Sequence, residues 1–343
     1  MSSNRCQCRD VTTETAQLRR DFGGMMKDKI MTVTGWIDPA KLKKTYGHEH
    51  LYTTATEKVV AENEKMALTD LEKIAVDLNF FKALGGNCIV EVTTVDYGRN
   101  VEKLKELSQK TGVFIVASGG FNKGTYNRAF LENQDPQNIA FKLIKEIREG
   151  VNDTGISPGI LKIGTSQDII HPWELIGIKA VSLAHRATGI PITTHTQAGS
   201  MAKEQLDEFE AMGVDLSKVL IGHMDQLDDF DVHLQCIRRG AYLGYDSLPK
   251  KKYATQSRAI DFICRLAKEN LHTHIMISGD YARQDYFKGY GGELGLDYIL
   301  TTFAENLLKE CSLRDLDGHK ILEDLLIHNP RRLLTFKEDE YGH

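Results

Sequence analysis

Residues 173–195 read WELIGIKAVSLAHRATGIPITTH, and this stretch contains the unit from which the rest of the chain is built. Apolar residues recur at helical spacing from Trp173 to Thr188, a glycine follows at 189, and a β-rich run from Pro191 ends on His195. A helical period followed at once by a short strand marks an α/β unit feeding a parallel sheet. Gly189 falls just beyond the helix, where a left-handed residue closes the last turn and glycine adopts it without a Cβ clash.

The same rhythm extends in both directions. Strands are expected near Thr45–Leu51, Asn87–Val92, Val113–Ala117, Ile160–Ile163, Pro191–His195, Val219–His223, Ala241–Tyr245 and Ile275–Gly279. Helices fit over Asp70–Leu84, with Thr69 as its cap, Val101–Thr111, Asn138–Gly150, Trp173–Thr188, Ala202–Met212 and Ser257–Asn270, and a helical tail follows Leu294. Gly85-Gly86, Gly112, Gly213 and Gly240 stand beyond helix ends as Gly189 does. Eight strands alternating with helices predict an α/β fold, a (β/α)8 TIM barrel, which commonly takes about 250 residues and grows by loop insertion. With 343 residues and no proline-rich linker, the chain is expected to form one domain over 31–343. The polar stretch 1–30 is expected to be an N-terminal extension, flexible or upstream of a start at Met25, Met26 or Met31.

A hydrophobic fraction of 41% and a charged fraction of 27% suit an ordinary folded core. The net charge of −5, with scattered basic residues, lacks the concentrated positive field that nucleic acid requires. No apolar run is long enough to span a membrane and no apolar segment near the start suits export, so a cytoplasmic protein is expected. Six cysteines at 6, 8, 88, 236, 264 and 311 are irregularly spaced and read as reduced thiols. Cys6 and Cys8 form a metal-capable pair, but no second pair follows at finger-like spacing.

In such a barrel, chemistry gathers at the C-terminal ends of the strands. His48 and His50 lie two apart on the first strand, so both face one side while Glu49 faces the other. His195 and His223 each end a strand, and Asp280 follows the eighth. A buried carboxylate there needs a metal or an arginine beside it. Lys162 interrupts the apolar strand Gly159–Ile163 and points toward the barrel mouth. It reads either as a snorkelling structural lysine or, once CO2 adds to the amine, as a carbamate whose two oxygens each hold a metal.

Together, His48-x-His50 on the first strand, Lys162 on the fourth, His195 on the fifth, His223 on the sixth and Asp280 on the eighth resemble the phosphotriesterase-like branch of the amidohydrolase superfamily, from about Thr32 to Phe336. The resemblance implies an amidohydrolase-type barrel with two divalent metal ions, usually zinc, with manganese or another divalent ion as the alternative. His48, His50 and Asp280 would hold one ion, His195 and His223 the other, with carboxylated Lys162 and a hydroxide bridging them. Such a hydroxide is nucleophilic at neutral pH, because the cations lower the pKa of water, and Asp280 can carry its proton to the leaving group. Hydrolysis is the expected reaction.

The loops after the seventh and eighth strands, where barrels often bind phosphate, carry Lys250, Lys251 and Lys252, then Arg283 and Tyr286. Arg283 offers a bidentate fork, a lysine a point charge and Tyr286 a hydroxyl. The plain alternative is a solvated lysine loop, with Arg283 paired to Asp280 or Asp285. The pattern is similar to that of the phosphorylated-sugar lactonases of the family, which implies Lys252, Arg283 and Tyr286 as phosphate-binding residues, with Lys250 and Lys251 as substitutes. The expected substrate is then a furanose 1,4-lactone 5-phosphate. A phosphotriesterase or an acyl-homoserine lactonase, each wanting an apolar pocket, and a non-catalytic barrel are the alternatives. Tyr97, Arg99 and Asn122 are candidate substrate contacts, and His171, His185, His233, His272, His274, His319, His328 and His343 read as structural. A homodimer is expected by analogy with related barrels.

Overall fold

The structure, a computed structural model, describes residues 28–250, 252 and 255–336. Cys6, Cys8, Met25 and Met26 in the expected extension, Lys251 and His343 lie outside the described residues. Eight strands form one sheet: β1 Lys44–Glu49, β2 Gly86–Glu91, β3 Phe114–Gly120, β4 Ile160–Gly164, β5 Ile192–His195, β6 Val219–Ile221, β7 Tyr242–Tyr245 and β8 Ile275–Ile277. They lie in chain order and every adjacent pair is parallel. β8 returns beside β1, where the Asp280 N–H donates to the His48 carbonyl at 3.1 Å, so the expected (β/α)8 barrel is the observed fold.

The period of two along each strand explains the layering. Cys88 and Val90 of β2, Val116 of β3 and Ile160 of β4 turn inward, while their neighbours Ile89, Ile115, Leu161 and Ile163 turn outward. The outward set packs on Leu78, Leu104, Ile178 and Val181 from the surrounding helices. The inward set meets Ile30, Ile37, Leu42 and Leu334. Ile30 and Ile37 pair across a short antiparallel hairpin that sequence reasoning did not anticipate, because three-residue strands carry too little pattern. The barrel is thereby filled below and leaves its polar residues at the mouth.

Helix bounds follow the caps. The helix Leu71–Ala83 is capped by Asp70, whose carboxylate accepts the Glu72 and Lys73 N–H groups, and not by the expected Thr69. Such a cap contributes about 1 kcal/mol. Asp135 caps the helix Pro136–Glu149, which begins two residues before the expected start at Asn138. Gly86 opens β2, and it is Gly85 that takes the left-handed turn, at φ 85°. Among the described residues, no helix is long and apolar enough to cross a membrane.

Candidate metal centre

A cavity of about 250 Å³ opens at the C-terminal ends of the strands, and His48, His50, Lys162, His195, His223 and Asp280 all line it. β1 reaches it through a bulge. Tyr46 pairs with Ile89 and Glu49 with Glu91, so β1 spends one residue more than β2 over this interval. Gly47 faces the barrel interior, where a Cβ would lie 2.8 Å from the Met276 methyl, and the extra residue turns His48 inward as well. Simple alternation, which sequence reasoning used, does not contain this bulge. Glu49 does face away, and its carboxylate accepts the N–H of Gly279 at 2.6 Å and of Tyr281 at 2.8 Å, gripping the backbone on both sides of Asp280.

The protons of three histidines are accounted for by their partners. Thr93 donates its hydroxyl to Glu91 at 2.5 Å, so it accepts from His50 Nδ1 at 2.7 Å and leaves Nε2 as the lone-pair nitrogen. Asp246 Oδ1 accepts from His223 Nδ1 at 2.7 Å, and Gln197 Oε1 accepts from His195 Nε2 at 3.3 Å. The remaining basic nitrogens, His223 Nε2 and His195 Nδ1, then face each other at 2.7 Å. Both ring nitrogens of His48 are buried without a hydrogen-bond partner. An unpaired buried polar atom costs about 1–3 kcal/mol, and a cation between these lone pairs would relieve it. His48 Nε2 and His50 Nε2 stand 3.6 and 3.5 Å from Asp280 Oδ1, a grouping able to hold one ion. Asp246 also groups with His48 and His223, but it faces their Nδ1 atoms and does not line the cavity, so it orients ligands from behind.

The electrostatics keep these donors free. Burial, then the Lys162 charge, holds His48 well below its ordinary pKa and His50 at about 3. Burial, then Lys123, does the same for His195. Burial raises Asp280, but Lys250, His223 and His50 outweigh it and hold the carboxyl at about 2. Burial brings Lys162 down to about 8 against the pull of Asp280 and Asp96. His223 at φ 60° and Asp280 at φ 47° both sit in the left-handed region, a cost of about 1–2 kcal/mol each that only their surroundings can hold.

One wall of the cavity carries Lys252, Arg283 and Tyr286. Arg283 Nη2 donates to the Tyr286 hydroxyl at 2.9 Å, and Lys252 is exposed. The cation beside Asp280 is Lys250, at 2.5 Å from Oδ2, and not an arginine. Lys250 is 5% exposed, so the alternative of a solvated lysine loop does not hold at this residue, and Asp285 pairs with Lys65. Tyr97 and Asn122 line the cavity. Arg99 does not: its guanidinium is spent on Glu146, at 3.0 Å through two nitrogens, and on the Ser118 carbonyl, which corrects its expected role as a substrate contact. Glu62, Lys123, Tyr126 and Gln197 also line the cavity and were not singled out in the sequence. Asp246 was also missed as a ligand-orienting group, although it follows β7 as directly as His195 ends β5.

The phosphotriesterase family model matches residues 28–334. The phosphotriesterase homology protein of Escherichia coli is 33% identical over 264 residues, covering 77% of this chain and 89% of that protein. Its crystal structure, with phosphate in the active site, superimposes with a TM-score of 0.81 at 31% identity, over 87% of this chain and 100% of that one. A lactonase from Listeria monocytogenes superimposes with a TM-score of 0.86 at 34% identity, over 90% of this chain and 99% of that one. The human N-acetyltaurine hydrolase is 28% identical over 91% of this chain and 99% of its own length.

Proposed function

This chain belongs to the phosphotriesterase family and is a hydrolase, and on that premise we propose that it opens a phosphorylated sugar lactone, a furanose 1,4-lactone 5-phosphate, at a binuclear metal centre. The observation that carries the reading is a cavity lined both by the imidazoles and Asp280 and by Arg283, Tyr286 and Lys252. His48, His50 and Asp280 would hold one divalent ion, His195 and His223 the second, and carboxylated Lys162 both. When bound, two such ions, zinc in this reading, polarise a substrate carbonyl and lower the pKa of water to near neutrality.

The residues of the chain do the rest. Arg283 and Lys252 receive the phosphate, and their charge fixes which end of the substrate faces the histidines. Tyr286 holds the arginine in place through its hydroxyl. Asp280, ionised at neutral pH, accepts a proton from the attacking water and returns it to the ring oxygen that leaves. Tyr97 and Asn122 line the same cavity and would meet the ring hydroxyls. The same reading places the enzyme in the cytoplasm and, by analogy with related barrels, in a homodimer.

Support comes from the lactonase of Listeria monocytogenes and from the phosphate in the active site of the Escherichia coli relative. A second reading, hydrolysis of an N-acyl aminosulfonate, is favoured by the match to the human N-acetyltaurine hydrolase, since a cationic wall also accepts a sulfonate. Phosphotriesters and acyl-homoserine lactones fit this polar wall less well. The test is a hydrolysis screen of metal-loaded protein on phosphorylated and unphosphorylated furanose lactones, N-acyl aminosulfonates and organophosphates. Preference for the phosphorylated lactones is expected. Turnover of the amide alone, or of uncharged esters alone, overturns the lactone assignment.

A further inference from the structure

We propose that Lys250 is a built-in counter-cation of this site, which holds Asp280 in the metal-free protein and against which divalent ions compete for that carboxylate. The inference rests on the binuclear metal reading above. Asp280 divides its two oxygens: Oδ1 faces the Nε2 atoms of His48 and His50, and Oδ2 receives the Lys250 ammonium at 2.5 Å. The lysine side chain is 3% exposed, so its charge has been brought out of water to reach this carboxylate. Such a pair costs desolvation of both groups, and removing one partner leaves the other charge uncompensated.

The arrangement behind His50 and His223 runs the opposite way. Behind His50 stands Thr93 with the Glu91 carboxylate, and behind His223 stands Asp246. Both are acceptors, which draw on the imidazole N–H and make the other nitrogen a better ligand. Behind Asp280 stands a cation, which draws charge from the carboxylate and makes it a poorer ligand. Lys162 places a second buried amine on the same cavity. The Lys250 ammonium also lies 5.3 Å from the Tyr286 ring centroid, on the side of the anion-binding wall, where a π face offers it an alternative seat.

The two roles open to Lys250 differ in sign. A lysine that merely positions Asp280 makes metal binding weaker when removed; a competitor makes it tighter. The experiment is titration of Zn2+ into chelator-stripped wild type, Lys250→Met and Lys250→Arg, read as the dissociation constant and as the thermal midpoint with and without metal. Lys250→Met is expected to bind at least one ion about ten-fold more tightly and to show a lower metal-free midpoint with a larger rise on adding Zn2+. Lys250→Arg, which keeps the charge, is expected to stay close to wild type. Equal or weaker binding by Lys250→Met overturns the proposal while leaving the metal reading intact. Wild type that binds no divalent ion overturns both. If Lys250→Met folds only with metal, release of Zn2+ to excess chelator replaces the titration: slower release than wild type is expected, and equal or faster release overturns the proposal.

Discussion

Asp246 Oδ1 accepts the Nδ1 proton of His223 at 2.7 Å, and this one bond decides which nitrogen of the histidine faces the cavity. The same carboxylate accepts the His223 backbone N–H at 3.1 Å and lies 3.4 Å from His48 Nδ1. It therefore governs one proposed ligand of each ion.

Asp246→Ala releases the His223 ring and removes the carboxylate beside His48 Nδ1. Groups of this kind typically tune metal affinity by about 10–100-fold, so weakening in that range is expected in a competition titration with a chelating dye. Affinity unchanged from wild type would show that the rings are held by packing alone.

Glu49 fastens the seam of the barrel. Glu49→Ala leaves two buried N–H groups, those of Gly279 and Tyr281, without acceptors. At about 1–3 kcal/mol each, a loss of roughly 2–6 kcal/mol is expected in urea unfolding, together with lower turnover as Asp280 loses its register. A loss within experimental error of zero removes Glu49 from this role.

Much of this was legible in the sequence for physical reasons. All eight strands were legible because apolar runs at period two alternate with helical spacing, and glycines at 112, 189, 213 and 240 punctuate the helix ends with positive φ. Of the six residues converging on the cavity, the histidines and Asp280 follow from their places toward or just beyond strand ends, and Lys162 from the charge it puts in an apolar strand. What escaped depends on contacts distant in sequence. The pairing of Lys250 with Asp280 spans 30 residues and could not be chosen from three consecutive lysines. Arg99 could not be separated from a pocket residue without seeing Glu146, 47 residues on. The bulge at Gly47 and His48 exists only relative to β2. The helix Phe230–Arg238 was missed because the acidic run before it, which caps it through Asp229, reads locally as loop.

Lys162 is fully enclosed by the barrel yet carries an amine, so its replacement separates folding from function. Lys162→Met preserves volume and removes a buried polar group, so the metal-free protein is expected to be as stable as wild type or more so. The metal bound per chain is expected to fall below two, read by elemental analysis after dialysis. Two ions per chain in this variant would contradict the bridging role.

Arg283→Met removes the guanidinium and keeps Tyr286. For a phosphorylated lactone, kcat/KM is expected to fall about 10–100-fold, mainly through KM, because a hydrogen bond to a charged group contributes roughly 1.5–3 kcal/mol. Slow turnover of the unphosphorylated lactone should be unaffected. Equal losses on both substrates would move the anion site elsewhere.

The central claim is that imidazoles and a carboxylate from separate strands meet around two cations that the reaction needs. It is tested most directly by stripping the protein with a chelator and returning Zn2+ in steps while measuring hydrolysis. Activity is predicted to vanish on stripping and to return in full at two ions per chain. Full hydrolysis by stripped protein, or no ion retained at any concentration, would contradict it.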